Sequence, residues 1–354
     1  MEYNQTEISL CCIYKNEEKN LPEFLERHFG LFDEYVFVDT GSDDKSNEIL
    51  NNYGIKPLFY AWDDDFSNAR NFSIKNATKG HILVLDIDEY IETEDIEALK
   101  VLINKTNADV FSLNQINFVN TIDTFNWYGI STLDKKYHGI AKGFFLSKIF
   151  RFFKNIDGIE YRGIIHENIG DSVKELDLKT CDTEINIYHT GWLEEEGNSE
   201  RLKKKKEWYE ELIKKEFEKN KSAKNVFYYL TTIDSIDEKI KISYKYSKIY
   251  PKVYQLWVIL SRSYLDKGDP IRALKYSEKG LEYNANNIDL LFTKAKALNI
   301  LKRYDDAIVI LNKLLINDEF NPNFLREMYL SLKLSKREEE ANEIIKKLTK
   351  SKIL

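Results

Sequence analysis

Cysteine is nearly absent: the 354 residues contain three, with Cys11 and Cys12 adjacent inside an apolar run and Cys181 far from both. An odd count arranged that way argues against a disulfide framework and for buried, reduced thiols. Also missing is any apolar run long enough to cross a bilayer, and Met1-Glu2-Tyr3-Asn4-Gln5 lacks the basic and apolar pattern of a signal peptide. A cytoplasmic protein with no membrane span is therefore expected. Glycine-rich phosphate loops are absent too. No Gly-x-Gly-x-x-Gly follows the first strand-like run and no Gly-Lys-Ser/Thr occurs, which disfavours dinucleotide oxidoreductases and P-loop enzymes. The net charge of -7 argues against a general nucleic-acid binder. What is present, 43% hydrophobic and 31% charged residues, is the make-up of a globular chain long enough for two domains.

The first half alternates strand and helix patterns. Ile8 to Tyr14 is an apolar strand, followed by a helix with Asn20 as cap and Pro22 in its first turn. A second strand, Tyr35 to Val38, runs into Asp39-Thr40-Gly41-Ser42-Asp43-Asp44 and a helix holding Ile49 and Leu50. Ile55 to Tyr60 gives a third strand, Asp65 or Ser67 caps a helix from about Phe66 to Ala77, and His81 to Leu85 is a fourth strand closed by Asp86-Ile87-Asp88. This βαβαβαβ succession implies a mostly parallel sheet whose strand-exit loops share one edge. Tyr14-Lys15-Asn16-Glu17, Asp39-Thr40-Gly41-Ser42 and Asp86-Ile87-Asp88 are expected to converge there, where open α/β sheets bind ligands. Paired carboxylates at that edge suit Mg²⁺ or Mn²⁺ against phosphate.

An α/β nucleotide fold without a glycine cradle, with Asp39 after the second strand and Asp86-Ile87-Asp88 after the fourth, resembles the GT-A glycosyltransferases, and family 2 in particular. The resemblance spans roughly residues 7 to 205 and implies a UDP-sugar donor. By it, Tyr14, Asn16 and Glu17 line the nucleotide site and Asp39 accepts the uracil imide hydrogen. Arg70, within Asp65-Phe66-Ser67-Asn68-Ala69-Arg70-Asn71, orients Asp39 or touches phosphate. Asp88 is the direct metal ligand, with Asp86 nearer the ribose or the metal's water shell. Arg162-Gly163-Ile164-Ile165-His166-Glu167 resembles a His-Glu element of transferases acting on lipopolysaccharide cores and bacteriocin peptides, which makes Glu167 the candidate base, with Glu89 as rival. His189, in Tyr188-His189-Thr190-Gly191-Trp192, corresponds to a histidine that reaches metal or pyrophosphate in related enzymes. Arg201, or a lysine of the 203–206 run, is expected to close over the diphosphate; the run otherwise reads as the solvated face of a helix. The chain lacks the Gln-x-x-Arg-Trp element of processive polysaccharide synthases.

From Asn225 onward glycine nearly vanishes and the pattern is helical. Ala273, Ala307 and Ala341 recur at the tetratricopeptide period of about 34 residues. Trp257, Leu260 and Tyr264 open one unit, and Leu291, Ala295 and Leu298 occupy comparable places in the next, with Lys294 breaking the pattern. A degenerate unit covers Asn321 to Leu348 and another precedes Pro251. These patterns predict a catalytic domain over residues 1–217 and a repeat domain over 218–354. A family-2 domain followed by such helices resembles the transferases that glycosylate bacteriocins such as sublancin on cysteine or serine. The resemblance implies transfer of glucose or another hexose, with inversion, to a peptide or protein side chain. The concave repeat face would take that peptide, or a second subunit in a homodimer. An envelope glycan or lipid-linked acceptor is the alternative, and a non-catalytic adaptor is a reading of another class.

Overall fold

The computed structural model describes residues 6–120, 127–193 and 199–350, with backbone alone at 131, 199–202, 205, 349 and 350. The chain divides into two compact units, Met1–Asn120 with Phe144–Ser199 and Thr121–Gly143 with Glu200–Leu354. The expected boundary at 217 lies inside a helix spanning Ser199–Lys219.

The first unit is built on strand β1 (Ile8–Tyr14), all of whose side chains are buried. Such a run, apolar on both faces, marks a strand covered from both sides. β2 (Glu34–Asp39) and β4 (His81–Val84) flank it in parallel, and β3 (Leu58–Phe59) lies parallel beyond β2. β3 is shorter than the Ile55–Tyr60 run suggested. Pro57 has no N–H for the ladder, and β3 occupies the sheet edge, where a short strand is tolerated.

Past β4 the sheet continues through β8 (Gly143–Lys154), β6 (Val110–Val119), β9 (Thr180–His189) and β5 (Glu89–Ile91). β8 is antiparallel to β4, β9 is parallel to β6, and β5 is antiparallel to β9. Helices α1 (Leu21–His28), α2 (Ser46–Asn52) and α4 (Thr93–Lys105) cover one face with Leu21, Phe24, Leu50, Ile96 and Leu99. On the other face α3 (Phe66–Lys75) and α5 (Gly170–Glu175) supply Ile74 and Val173. Asp65 caps α3 by accepting the Ser67 and Asn68 N–H groups, which fixes where that helix starts beside the sheet. The result is the α/β arrangement expected of a GT-A domain, with every parallel strand from β1 to β4 ending at one edge.

In the second unit strand β7 (Trp127–Gly129) precedes an all-helical stretch. It begins with α6 (Ser199–Lys219), in which Leu212 and Ile213 are buried while Lys203 and Lys206 face water and pair with Glu207 and Glu210 one turn on. Helix pairs follow: α7 (Ala223–Thr232) with α8 (Ile236–Ile249), α9 (Tyr254–Asp266) with α10 (Pro270–Leu281), α11 (Ile288–Ile300) with α12 (Tyr304–Asn317), and α13 (Pro322–Leu334) with α14 (Glu338–Lys350). Ala273, Ala307 and Ala341 are buried where paired helices approach, as the 34-residue period requires. Gly280 serves the same purpose, because a methyl group there would lie 2.7 Å from Leu290 Cδ1 and 2.8 Å from Trp257 Cβ. Lys294, out of pattern in the sequence, is accommodated by an ion pair with Glu278 at 2.9 Å. Among the described residues no helix is long and apolar enough to cross a membrane.

Candidate active site

The exits of β1 and β2 are tied together by their own loops. Asn16, at φ 57°, donates its N–H to Ser42 Oγ and accepts the Asp43 N–H on Oδ1, both at 2.9 Å. Asparagine tolerates that left-handed backbone better than most residues. Glu17 donates its N–H to Ser46 Oγ at 2.8 Å. Asp39 ends β2 with Oδ1 accepting the Gly41 and Ser42 N–H groups at 3.0 and 2.8 Å and Oδ2 accepting Asn47 Nδ2 at 2.7 Å. Tyr14 completes the chain by donating its hydroxyl to Asn47 Oδ1. Burial raises the Asp39 pKa, but these donors outweigh it and hold the carboxyl below its ordinary value. Tyr14, Asn16, Glu17 and Asp39 are thus brought together.

One strand spacing beyond β1, about 10 Å from β2 by strand geometry, a second cluster forms at the exit of β4. Arg70, buried on α3, donates Nη2 to both oxygens of Asp86 at 2.7 and 3.0 Å and Nε to Glu167. Arg151 of β8 donates to Asp86 Oδ2 at 3.0 Å and lies 3.8 Å from Glu89. Burial opposes ionisation of Asp86, yet the Arg70 and Arg151 guanidiniums hold its carboxyl well below the usual carboxylate range. Asp86 therefore carries a fixed negative charge between two guanidiniums. Arg70 spans Asp86 and Glu167, while Asp39 is held by Asn47, Gly41 and Ser42. Glu167 lies in a loop closed by paired backbone bonds between Arg162 and Asn168.

Glu89 is walled in. Its side chain has no exposed surface, and it accepts the Asp86 N–H on Oε2 and Gln115 Nε2 on Oε1. Burial, with Arg151 opposing and Asp86 assisting, pushes its pKa upward. A carboxyl so enclosed supports the Asp86 loop and is out of reach of an incoming acceptor.

Asp88 differs from Asp86 in having no guanidinium partner among the described residues. Its side chain is 35% exposed, and Oδ2 faces His189 Nε2 at 3.4 Å. Thr190 donates both its N–H and its hydroxyl to the Asp88 carbonyl at 3.0 Å, which ties the loop after β4 to the end of β9. Burial lowers the pKa of His189, but the hydrogen bond and charge of Asp88 outweigh it and the net shift is upward. Gly191 keeps this pair open: a methyl group there would lie 2.2 Å from Asp88 Oδ2 and 2.6 Å from His189 Nε2. Carboxylate oxygen and imidazole nitrogen facing each other across a space reserved by a glycine fit a divalent cation. Among the described residues no three His, Cys, Asp or Glu side chains converge as a closed cage. A site with few protein ligands suits an ion that shares its coordination with phosphate.

The side chain of Arg201 lies outside the described residues. Arg151 and Gln115 were not singled out from the sequence, although a lone arginine in Ile149-Phe150-Arg151-Phe152-Phe153 was a usable signal.

Residues 9–160 match the family described as Glycosyl transferase family 2. That stretch holds Asp39, Arg70, Asp86, Asp88 and Arg151 and ends before Glu167 and His189. A TPR repeat-containing protein of Synechococcus elongatus is 29% identical over 207 residues, 56% of this chain and 46% of that protein. The chain thus spans about half the length of this curated relative. Among solved structures, TarS 1-349 of S. aureus is similar over 95% of this chain and 91% of its own, with 13% identity and a TM-score of 0.37. MamA from Desulfovibrio magneticus RS-1 is similar over 36% of this chain and 72% of its own, with 16% identity and a TM-score of 0.34. Residues 9–160 thus resemble a glycosyl transferase family 2 domain, and paired helices at a 34-residue period follow them.

Proposed function

We propose that this chain transfers a hexose from a UDP-sugar, with inversion and dependence on Mn²⁺ or Mg²⁺, to a cysteine or serine side chain of a peptide or protein. The observation that carries the reading is the pair Asp88 and His189, facing each other at 3.4 Å beside Gly191 at the sheet edge. Asp88 and His189 would hold the cation, with Asp86 supporting from behind. When bound, the cation offsets charge growing on the departing diphosphate.

The remaining roles belong to the chain's own groups. Asp39, kept ionised by its N–H and amide donors, accepts the imide hydrogen of uracil, and Tyr14, Asn16 and Glu17 shape the loop pair that holds it. Glu167 takes the acceptor proton in a direct displacement. Its Oε1 is held by Arg70, and no described hydrogen bond engages Oε2. Arg201 is assigned to the diphosphate from the resemblance alone.

Support for a peptide acceptor comes from the second unit. A cavity of about 290 Å³ there is lined by Arg262, Phe292, Lys296, Asn321, Phe324 and Trp127, whose indole N–H is buried with no hydrogen-bond partner among the described residues. Polar and aromatic side chains on successive repeat helices suit an extended peptide.

Incubation with UDP-hexoses, Mn²⁺ and either a cysteine/serine-rich peptide or a lipid-linked saccharide, read by mass spectrometry, tests the acceptor. A hexose adduct on the peptide is expected; an adduct on the lipid alone overturns the peptide assignment. UDP with Mn²⁺ should also raise the melting temperature, since a ligand of the folded state stabilises it. No rise at saturating UDP would favour the adaptor reading. Gly191→Ala should fold, because only the ends of two side chains must give way. Its Mn²⁺ affinity should fall on the order of 10–100-fold, the range for disturbed ligand support; unchanged affinity in a Mn²⁺ titration would remove Gly191 from the site.

A further inference from the structure

We infer that Asn117 is a positioning residue that fixes the tautomer of His189 and so presents Nε2 as a bare lone pair toward a divalent cation beside Asp88. This rests on the assignment of Asp88 and His189 as the metal pair.

Asn117 of β6 and His189 of β9 are register partners in a parallel ladder, so their side chains stand side by side on one face. His189 Nδ1 lies 2.7 Å from Asn117 Oδ1. Which end of the amide meets the ring follows from the other end. Asn117 Nδ2 faces three acceptors, the Gln115 carbonyl at 3.2 Å, Gln115 Oε1 at 3.4 Å and the Phe145 carbonyl at 3.5 Å. Turning the amide over would set Oδ1 against three oxygens in a place where Asn117 is only 2% exposed. The oxygen therefore points at the imidazole, and Nδ1 must carry the hydrogen that it accepts.

In the imidazolium, Nε2–H points at Asp88 Oδ2, 3.4 Å away; once the ring is neutral, a hydrogen kept on Nδ1 by Asn117 leaves that same Nε2 as a lone pair facing the carboxylate. Two lone pairs so placed repel until a cation sits between them. A hydrogen-bond acceptor behind the ligating histidine is the usual device for setting ring orientation and the ligating nitrogen. Gln115, two residues earlier on the same face, does the corresponding work for Glu89 by donating to its Oε1 at 2.5 Å. One polar strip of β6 thus supports both the carboxyl behind Asp86 and the imidazole beside Asp88.

Nitrogen-15 spectra of the histidine side chains in the metal-free, full-length protein at alkaline pH read the tautomer directly. The chain has five histidines, and His189→Gln identifies the resonance by its loss. Wild-type protein should show the Nδ1–H form of His189 and Asn117→Leu should lose it. In the same two proteins, Mn²⁺ titrated with UDP present should bind roughly 10–100-fold more weakly to Asn117→Leu. An Nε2–H tautomer in the wild type overturns the inference even if Asn117→Leu does not fold. Equal Mn²⁺ affinity in the two proteins, with binding lost in Asp88→Ala, overturns it while leaving the metal pair standing. Wild-type protein that binds no Mn²⁺ removes the metal pair, and this role for Asn117 with it.

Discussion

Replacing Arg70 with methionine is expected to destabilise the protein by about 3–5 kcal/mol at neutral pH, the range for removing one partner of a buried charge network. The side chain is 4% exposed and bridges Asp86 to Glu167, whose side chain is 9% exposed. Without the guanidinium, Glu167 is left as an unpaired buried carboxylate and Asp86 depends on Arg151 alone. The sign with pH follows from Asp86, whose pKa is depressed in the folded protein. Its contribution is fully present above the ordinary carboxylate pKa and is lost as pH falls through the depressed value. The difference between wild type and Arg70→Met should accordingly shrink in acid. Urea melts of both proteins at neutral and acid pH check this, and a constant difference would mean that the lost stability comes from packing.

The second large effect is kinetic. Glu167→Gln should lower transfer by roughly 10²–10⁴-fold, the contribution of a positioned general base, and glutamine can still accept the Arg70 Nε hydrogen. Glu89→Gln should fall short of the roughly 10²-fold loss that marks the low end for a missing base, since its enclosed carboxyl is held by Asp86, Gln115 and Arg151. Single-turnover rates of the two variants decide between them: a deeper loss in Glu89→Gln would reverse the assignment. Both should be compared with wild type at saturating donor, so that changes in binding do not pass for changes in chemistry.

The parallel half of the sheet was legible because β1, β2 and β4 are short apolar runs ended by polar turns, and strands alternating with helices run parallel; the order β3-β2-β1-β4 is visible only in the structure. The shared strand-exit edge followed from that parallel direction, which is why Tyr14, Asn16 and Asp39 were expected together. Hidden from the sequence were contacts that depend on distant pairing. Arg70 reaches Glu167 across 97 positions, and Arg151 reaches Asp86 only because β8 enters antiparallel beside β4. The short β5 and the Gln115 and Asn117 strip on β6 escaped for a related reason. β5 is three residues long, and Gln115 and Asn117 alternate with buried Ile116 and Phe118 in a strand whose polar face gains meaning only when Glu89 and His189 are brought to it. In the helical region Ala273, Ala307 and Ala341 were readable from periodicity alone, since small residues must recur wherever paired helices meet.

Asp88 separates these readings most sharply, because its side chain is partly exposed and makes no contact with Arg70 or Arg151. The direct measurement is transfer of hexose from a UDP-sugar to the peptide acceptor by wild-type protein and by Asp88→Ala, each with Mn²⁺ and with chelator. Wild-type transfer should require Mn²⁺ and fall by at least about 10²-fold in Asp88→Ala, the low end for losing one preorganised charge-stabilising group, with the melting temperature little changed. Equal transfer by Asp88→Ala, or wild-type transfer undiminished in chelator, would contradict the account.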